Sequence, residues 1–451
     1  MIALGHAKGQ TYAVFGLGRS GLAAARALVA GGAEVRLWDD SEASRQAAEQ
    51  AGFKPVPLND ATLTGCAALL LAPGVPLTHP VPHESVTAAA RVGVPVIGDI
   101  ELALRERHPV VYGITGTNGK STTTALLAHV LRAANRSITL GGNIGLPVLE
   151  QDAADTFVLE MSSFQIDLTP GWQARIAVLL NITPDHLDRH GSMENYAAIK
   201  RRIFNGQKAG DTAVIGVDDE YCRAIHAALQ AEKTGRAIVP VSVERILPDG
   251  ISAVDGVLYE NGVRVENLSR FPALPGKHNG QNIAMVYAAA KAAGLERADI
   301  LAAIATFPGL RHRLQKVAEI AGIPCINDSK ATNAEATEKA LACFDTIYWI
   351  AGGKAKDGGI KMLAPYFPRI RHAFLIGHAA NEFAATLGAS VPHSVSGTLD
   401  RAVHDALALA KSEKRPGAVV LLSPACASYD QFKSFEHRGD VFIKLIEEAA
   451  A

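Results

Sequence analysis

The sequence has almost no net charge and no long apolar run, and each absence excludes a class of protein. Its 451 residues carry 44 Lys and Arg against 45 Asp and Glu, so no excess positive charge attracts nucleic acid or an anionic membrane. No apolar stretch is long enough to cross a bilayer, and the amino-terminal residues lack the charged head and apolar core of a signal peptide. We therefore expect a cytoplasmic protein without nucleic-acid or membrane partners.

Cysteine is also scarce. The 5 cysteines are scattered, and no two form a C-x-x-C pair, which excludes a zinc ribbon and a thioredoxin-type motif and suits a reducing compartment. Hydrophobic residues make up 48% of the chain and charged residues 20%, the composition of a globular protein. A chain of this length exceeds one hydrophobic core, so we expect about three domains.

Short β-branched segments alternate with helical stretches along nearly the whole chain, which is typical of an α/β protein with parallel sheets. A polar, helix-like connector after residue 98 and the segment FPGLRHRLQ (307–315) divide this alternation into three series. In the second series, Asn261-Gly262 predicts a hairpin turn. We predict three domains: a Rossmann-like domain over 1–98, a central P-loop-type domain over 99–309 and a second Rossmann-like domain over 310–451.

The first glycine-rich segment, GLGRSG (16–21), fits the G-x-G-x-x-G pattern between a predicted strand and a predicted helix. Its glycines would let the backbone approach a diphosphate at the helix N-terminus, where unpaired N–H groups favour anions. Asp39, at the end of the next strand, could bind a sugar hydroxyl. The pattern alone leaves three interpretations open: a dinucleotide, another diphosphate ligand, or a tight turn that binds nothing.

The second glycine-rich segment, GITGTNGKSTTT (113–124), departs from the P-loop pattern at one position. G-x-x-x-x-G-K-[ST] requires glycine at position 114, where this chain has Ile114. The segment still connects an apolar strand to a helix with one apolar face, the setting of a phosphate site. Lys120 can reach the terminal phosphates of ATP or GTP, and the Ser121 hydroxyl can enter the coordination shell of Mg²⁺.

Two further apolar strands are followed by acidic and imidazole side chains. Glu160 ends one strand, and Asp185 and His186 follow the next. Because the carboxyl ends of parallel strands share one edge of a sheet, we expect these side chains beside the phosphate segment. Ser121, Glu160 and His186 would offer the oxygen and nitrogen ligands that Mg²⁺ or Mn²⁺ accepts. Composition alone gives Lys200, in the next helix, a solvent-facing position.

These segments resemble the ATP-dependent Mur ligases of peptidoglycan synthesis, which are related to folylpolyglutamate synthase. Seven motifs follow the family order between residues 113 and 333: GTNGKST, LEMSSFQ, NITPDHLDRH, YAAIKRRIF, LPGKHNGQN, GLRHRLQ and NDSKATN. With GLGRSG and LSPACASYDQFKSFEHRGD (422–440), the resemblance covers nearly the whole chain. The latter segment and GDIEL (98–102) resemble the branch that adds D-glutamate to UDP-N-acetylmuramoyl-L-alanine.

The resemblance implies an amide ligase that uses ATP and two Mg²⁺ ions, or Mn²⁺ in their place. The γ-phosphoryl group would pass to the alanyl carboxylate, and the amine of D-glutamate would attack the resulting acyl phosphate. The catalytic residues would be Lys120, His186 and Lys200. ATP would be bound by Gly116, Thr117, Asn118, Gly119, Lys120, Ser121, Thr122, Asn282, Arg313 and Asp328. The metal ligands would be Ser121, Glu160, His186 and Lys200, the last as a carbamylated, anionic side chain.

The resemblance assigns the other two substrates to the outer domains. The UDP-sugar would be bound by Gly18, Arg19, Ser20, Asp39, Asp40 and Asn143. Arg19 departs from the family, which usually has an apolar residue there. D-Glutamate would be bound by Lys330, Thr332, Lys356, Ser428 and Phe435. We expect the enzyme to act as a monomer.

Three alternatives compete with this interpretation. A sister ligase or a folylpolyglutamate synthase-like enzyme would add another amino acid, although the D-N-P-R motif of the diamino-acid enzymes is absent. A nicotinamide-dependent oxidoreductase would use GLGRSG but leave Lys120, Glu160 and His186 unexplained. A P-loop switch would hydrolyse ATP without any amino acid.

The phosphate segment yields the first prediction. Lys120→Ala should lower turnover on the order of a thousandfold or more, because the lysine neutralises charge on the transferring phosphoryl group. Phosphate release measures the loss, and circular dichroism verifies that the variant folds. Near-normal phosphate release by folded Lys120→Ala would contradict the assignment.

Overall fold

Three sheets organise the computed structural model, which describes residues 1–152, 154–355 and 358–450. The chain forms two compact units, one of Met1–Arg270 with Asn279–Thr306, the other of Phe271–His278 with the chain from Phe307 onward. Most neighbouring strands are parallel and separated in sequence by helices, so the predicted α/β class is confirmed. No helix among the described residues combines the length and the apolar content needed to cross a membrane.

The amino-terminal sheet has four parallel strands in the order β2-β1-β3-β4. Its strands are β1 (Thr11–Phe15), β2 (Glu34–Trp38), β3 (Ala68–Leu71) and β4 (Val96–Ile97). Its helices are α1 (Arg19–Ala30), α2 (Glu42–Gln50), α3 (Asp60–Leu63) and α4 (Glu84–Arg91). Four buried alanines of α1 let that helix pack closely: Ala23, Ala24, Ala25 and Ala27. Helix α5 (Asp99–Arg107) then leads to the next sheet.

The central sheet has nine strands in the order β13-β12-β11-β10-β9-β8-β5-β7-β6. They are β5 (Val110–Thr115), β6 (Ile138–Gly142), β7 (Thr156–Glu160), β8 (Ile176–Leu179), β9 (Thr212–Gly216), β10 (Ala237–Ser242), β11 (Ile251–Val254), β12 (Val257–Glu260) and β13 (Val263–Asn267). The helices of this segment are α6 (Lys120–Ala133), α7 (Ser163–Asp167), α8 (Leu187–His190), α9 (Met193–Arg201), α10 (Glu220–Ala231), α11 (Lys277–Ala292) and α12 (Arg297–Ala305).

The antiparallel end of this sheet contains two hairpins. The predicted turn at Asn261-Gly262 is confirmed, and Glu260 pairs with Val263 across it. Asp255-Gly256 makes a second tight turn between β11 and β12. All four turn residues have positive φ, between 48° and 77°, as a two-residue turn of this type requires. The segment is therefore a three-stranded meander.

The second unit contains a six-stranded sheet in the order β14-β15-β19-β16-β17-β18, in which only the β14–β15 pair is antiparallel. Its strands are β14 (Gln315–Ile320), β15 (Ile323–Asn327), β16 (Thr346–Gly352), β17 (Ile370–Ile376), β18 (His393–Gly397) and β19 (Ala418–Leu422). Its helices are α13 (Ala334–Leu341), α14 (Ala380–Leu387), α15 (Leu399–Glu413) and α16 (Phe435–Ala450).

Gly113 packs closely against Trp172, in the strand that precedes the phosphate segment. A methyl group at this position would overlap Cζ2 of Trp172 and lie 2.7 Å from its Cη2 atom. The indole cannot retreat, because Trp172 is buried and its Nε1 donates a hydrogen bond of 2.8 Å to the carbonyl oxygen of Ile203. The first glycine of GITGTNGKS is therefore required by the core.

Gly113→Ala should lower the free energy of unfolding by about 1–3 kcal/mol, because the added methyl group overpacks a rigid site. Urea denaturation measures the change. Gly5→Ala is the matched control, since a methyl group there would meet only Glu106 Oε1 at an ordinary 3.5 Å. Equal unfolding midpoints for the two variants would refute this account of Gly113.

Candidate active site

The three strand ends expected to meet lie side by side in the central sheet. Strand β5 pairs in parallel with β7 on one side and with β8 on the other. The phosphate segment follows β5, Glu160 ends β7, and the loop that carries Asp185 and His186 follows β8. One edge of the sheet therefore presents a glycine-rich loop, a carboxylate and an imidazole.

The structure explains why the phosphate loop (residues 116–121) tolerates Ile114. Ile114 lies inside β5, where it pairs with Glu160 of β7 and Val178 of β8, so the loop begins only at Gly116. Gly119 has φ of 83°, a left-handed conformation that favours glycine. A side chain there would also overlap Oδ1 of Asn282, which accepts a hydrogen bond of 3.1 Å from Thr123. The loop is thus shorter than the standard pattern and still needs its second glycine.

Residues just after β8 hold the phosphate loop in place. Thr117 N donates to the carbonyl oxygen of Asn181 at 2.9 Å, and Asn118 N donates to Oδ1 of the same residue at 2.9 Å. Thr117 Oγ1 accepts from Thr183 N at 3.0 Å and lies 3.2 Å from the hydroxyl of Tyr196. The loop is therefore attached to the segment that leads to His186. Sequence reasoning missed Asn181, Thr183 and Tyr196, although all three lie within the quoted motifs or beside them.

Two lysines meet at the carbonyl oxygen of Gly116. Lys120 Nζ donates to this oxygen at 3.0 Å and to the carbonyl oxygen of Thr117 at 2.8 Å. Lys200 Nζ donates to the same Gly116 oxygen at 2.8 Å. Burial, reinforced by the positive charge of Lys120, holds the pKa of Lys200 well below its ordinary value, while the negative charges of Asp185 and Glu160 act in the opposite direction.

The position that composition alone gives Lys200 is wrong, since only 1% of this residue is exposed. Its Nζ lies 4.8 Å from the centroid of the Tyr196 ring. Burial also raises the pKa of Tyr196 to about 12. Helix α9 therefore presents a buried lysine and a buried phenol to the underside of the phosphate loop. The helical periodicity of the sequence could not reveal the burial of Lys200, because the loop residues that it contacts lie far away in sequence.

Glu160 has one oxygen suited to a cation. Its Oε1 accepts a hydrogen bond of 2.9 Å from Nδ2 of Asn143, whereas its buried Oε2 has no hydrogen-bond partner among the described residues. A buried carboxylate oxygen without a donor is costly, and a bound cation would compensate it. Asn143, which the resemblance assigned to the UDP-sugar, contacts Glu160 in the structure.

His186 lies further out on the same edge. It has φ of 52° and 49% of its side chain is exposed, and its Nε2 lies 3.4 Å from Oδ2 of Asp185. The described residues contain no cluster of three His, Cys, Asp or Glu side chains that could hold a metal ion. A Mg²⁺ ion here would therefore need hydroxyl, water or phosphate oxygens in addition, which is the coordination that Mg²⁺ prefers.

The three glycines of the glycine-rich turn (residues 16–21) have different roles. A methyl group on Gly21 would overlap the carbonyl oxygen of Gly16, and one on Gly16 would overlap Cβ of Ala72. Gly18, which caps α1, has no atom within 4 Å of the corresponding position. Packing therefore requires Gly16 and Gly21, whereas the space at Gly18 is open to a ligand. Arg19 and Ser20 follow as the first residues of α1.

The two aspartates assigned to the UDP-sugar already contact the protein. Oδ2 of Asp39 accepts from Leu17 N at 2.6 Å, and its Oδ1 accepts from Ser41 N at 2.8 Å. Oδ2 of Asp40 lies 3.0 Å from Nε2 of His83. Asp39 therefore braces the glycine-rich turn, a role that the spacing did not reveal.

In the second unit, residues assigned to D-glutamate approach one another. The ammonium of Lys330 lies 3.9 Å from the centroid of the Phe435 ring, and Ser428 is buried. Arg438, which sequence reasoning missed, joins their segments, since its Nε donates to Ser329 Oγ at 2.9 Å and its Nη1 to the carbonyl oxygen of Cys426 at 3.1 Å. Thr332 is half-buried, and Lys356 lies outside the described residues.

Asp328 and Arg313, both assigned to ATP, also belong to this unit. Asp328 accepts hydrogen bonds from Ser423 Oγ at 2.8 Å and from Leu314 N at 3.2 Å. Burial raises the pKa of Asp328 to about 7. Asn282, the third such residue, lies in the first unit, where its Nδ2 donates to Asn279 Oδ1 at 2.9 Å.

Three family models match successive parts of the chain. They are the Mur ligase MurD-like, N-terminal domain over residues 10–98, the Mur ligase middle domain over 114–290, and the Mur ligase glutamate ligase domain over 312–426. Together they confirm the predicted three-domain architecture.

Curated relatives match over nearly the full length. The chain is 50% identical over 456 residues to the UDP-N-acetylmuramoylalanine--D-glutamate ligase of Paramagnetospirillum magneticum, covering 99% of this chain and 98% of that protein. It is 51% identical over 460 residues to the protein of the same name from Nitrobacter winogradskyi, with the same two coverages.

Solved structures show the same fold at lower identity. UDP-N-acetylmuramate-alanine ligase MurC from Thermotoga maritima matches with a TM-score of 0.60 at 17% identity, over 98% of this chain and 99% of that one. A UDP-N-acetylmuramoyl-L-alanyl-D-glutamate--2,6-diaminopimelate ligase matches with a TM-score of 0.58 at 17% identity, over 99% and 94%.

The buried position of Lys200 predicts a pH-dependent stability. Because its pKa is lower in the folded protein than in the unfolded chain, the unfolded state holds the extra proton between the two values, and the free energy of unfolding rises with pH there. Lys200→Met should abolish this contribution. The wild type should therefore gain stability relative to the variant as the pH rises towards the ordinary lysine pKa of about 10.

Urea denaturation in buffer freed of carbon dioxide measures this difference, since carbon dioxide could modify a neutral amine. Lys208→Met, which replaces an exposed lysine, is the control and should keep the pH dependence of the wild type. A stability difference between wild type and Lys200→Met that stays constant with pH would refute a lowered pKa.

Proposed function

The chain belongs to the Mur ligase family, and we propose that it joins D-glutamate to UDP-N-acetylmuramoyl-L-alanine, with ATP as the energy source. The observation that carries this proposal is the 50% identity over 99% of the chain to a relative named for that ligase. The site geometry supports it independently, because a phosphate loop, a buried carboxylate and a glycine-rich turn with an open position lie in the first unit.

The reaction has two chemical steps. An oxygen of the alanyl carboxylate attacks the γ-phosphorus of ATP, the bond to the bridging oxygen breaks, and ADP leaves. The neutral amine of D-glutamate then attacks the carbonyl carbon of the acyl phosphate. Phosphate leaves, the nitrogen loses a proton, and an amide remains. Positioning and charge neutralisation supply most of the rate in such transfers.

The phosphate loop supplies the first of these contributions. We infer that the β- and γ-phosphates lie over the N-terminus of α6, where the helix dipole favours anions. Lys120 would move its hydrogen bonds from the carbonyls of Gly116 and Thr117 to phosphate oxygens, and so neutralise charge as it develops. Thr117, Asn118, Ser121 and Thr122 complete the proposed ATP contacts on this side.

The metal site is proposed at Glu160, Ser121 and His186. Mg²⁺ ions held by these residues would neutralise charge on the phosphates. The unpartnered Oε2 of Glu160 fits this role, while Asn143 fixes the other oxygen. We propose two ions, with Mn²⁺ as a substitute.

Lys200 is proposed to contribute to the metal site as a carbamate. Its lowered pKa favours the neutral amine, which is the form that attacks carbon dioxide. The new N–C bond forms as one C=O π bond of carbon dioxide opens and the nitrogen loses a proton, so a buried neutral amine becomes an anion. The carbamate attracts Lys120, which a protonated Lys200 would repel, and it suits a neighbouring metal cation.

The outer domains are proposed to hold the other two substrates. The UDP diphosphate would occupy the space beside Gly18, with Arg19 and Ser20 at the N-terminus of α1. In the second unit, Lys330, Thr332, Ser428 and Phe435, together with Lys356, would bind the two carboxylates of D-glutamate. The buried Arg438 supports this by holding the segments that carry Lys330 and Ser428.

The remaining features of the proposal rest on the family. We propose domain boundaries at 98/99 and 309/310, and a monomer that acts in the cytoplasm. Asn282, Arg313 and Asp328 would complete the ATP site.

Phosphate release from ATP in the presence of UDP-N-acetylmuramoyl-L-alanine tests the proposed function. Release should depend on D-glutamate and fall at least about a hundredfold with L-glutamate, because a site that binds both carboxylates leaves one enantiomer with its amine misplaced. L-Alanine and meso-diaminopimelate should be inactive, and Lys120→Ala serves as the inactive control. A preference for either of these, or phosphate release without any amino acid, would overturn the proposal.

A further inference from the structure

Arg189 connects two loops that the proposed function assigns to different substrates. It lies in α8, and its guanidinium donates through Nη1 to the carbonyl oxygen of Gly74 at 2.8 Å and through Nη2 to that of Val75 at 2.9 Å. Gly74 and Val75 follow β3 of the amino-terminal sheet. One side chain in the segment after β8 therefore donates two hydrogen bonds to the loop after β3, within the same compact unit.

The loop that Arg189 contacts supports the glycine-rich turn. Ala72 N donates to the carbonyl oxygen of Phe15 at 2.9 Å, and Val75 N donates to that of Ala72 at 2.9 Å. A methyl group on Gly16 would overlap Cβ of Ala72 and lie 3.6 Å from Cγ2 of Val75. Residues 72–75 thus form the wall behind the turn that is proposed to hold the UDP diphosphate.

At its other end, Arg189 is part of the helical turn that begins at His186. Arg189 N donates to the carbonyl oxygen of His186 at 3.0 Å. The guanidinium carbon lies 4.6 Å from the centroid of the Phe164 ring, and that ring lies 5.1 Å from the imidazole of His186. Phe164 therefore contacts both residues, so a shift of Arg189 reaches His186 through the backbone and through the ring.

The positive charge of Arg189 faces the Phe164 ring and two carbonyl oxygens, but no carboxylate among the described residues. Among the described residues it forms no ion pair, and both of its hydrogen-bond acceptors are neutral carbonyls. Its Nε is buried and has no partner among the described residues. Burying part of a cation without a carboxylate opposes folding, whereas the planar fork of a guanidinium fixes two acceptors at once.

We propose that Arg189 is a positioning residue that couples the UDP-sugar site to the nucleotide and metal site, by fixing residues 72–75 against the loop that carries His186. This inference rests on the proposed function, because it takes the assignment of the two sites from it. The alanyl carboxylate must reach the γ-phosphate from the far end of a long substrate, so the separation of the two sites decides whether the reacting atoms meet.

The test measures coupling without turnover. Calorimetry gives the Kd for UDP-N-acetylmuramoyl-L-alanine with and without a non-hydrolysable ATP analogue and Mg²⁺. In the wild type, the analogue should change this Kd at least about threefold, the size of a modest coupling. In Arg189→Ala the two values should agree, while the Kd without nucleotide stays within about threefold of the wild type.

Turnover and chemical rescue give a second readout. Arg189→Ala should lower kcat at least about tenfold, and methylguanidinium should restore part of the loss by refilling the site. Arg189→Lys keeps the charge but lacks the planar fork of two nitrogens that fixes both carbonyls, so it should stay impaired and should not respond to methylguanidinium. Arg132→Ala, which removes an exposed arginine of α6, is the matched control.

Wild-type coupling that persists in both Arg189 variants, or the absence of coupling in the wild type, would overturn the inference. A loss of kcat that merely follows a lower unfolding temperature, with no rescue, would assign Arg189 a structural role only. Failure of the proposed function would appear differently, as a wild-type protein that does not consume D-glutamate.

Discussion

The carbonyl oxygen of Gly116 accepts hydrogen bonds from two lysines, and the arrangement of the active-site edge depends on this contact. Through this contact, side chains from α6, the helix that follows the phosphate loop, and from α9 bind the same backbone atom. The proximity of two cations, one of them buried, favours the neutral form of Lys200. A neutral buried amine can stay next to the loop without an anion, and it is also chemically available for carbamylation.

Hydrogen bonds from neighbouring residues hold the phosphate loop in this arrangement. Asn181 accepts from the backbone of the phosphate loop, the backbone N of Thr183 donates to Thr117 Oγ1, and the Tyr196 hydroxyl reaches Thr117 from α9. All three residues belong to the segments between β8 and the end of α9, so the loop and its supporting residues come from two neighbouring strands. Residues after β3 extend the same connection to the glycine-rich turn through Arg189. The site is therefore built from strand ends that parallel pairing already places together.

Much of this could be predicted from the sequence, because it follows from local patterns. Because Lys120, Glu160 and His186 each follow or end an apolar strand, they were predicted to lie at one edge of a sheet. The parallel pairing of β8, β5 and β7 places them there. The burial of Lys200 could not be predicted, since it depends on contacts with residues more than 80 positions away. For the same reason, the spacing could not show that Gly113 packs against Trp172, or that Asp39 accepts a hydrogen bond from the backbone of Leu17.

The unequal glycines of the turn at residues 16–21 have a consequence for how such sequences can change over time. Gly16 and Gly21 are fixed by atoms of the protein itself, so a side chain at either position would strain this fold whatever the ligand. A methyl group on Gly18 would meet no protein atom within 4 Å, so packing does not demand glycine there. Drift at position 18 would therefore alter ligand preference before it impaired folding. Within one short motif, packing therefore requires two of the glycines, and only ligand binding concerns the third.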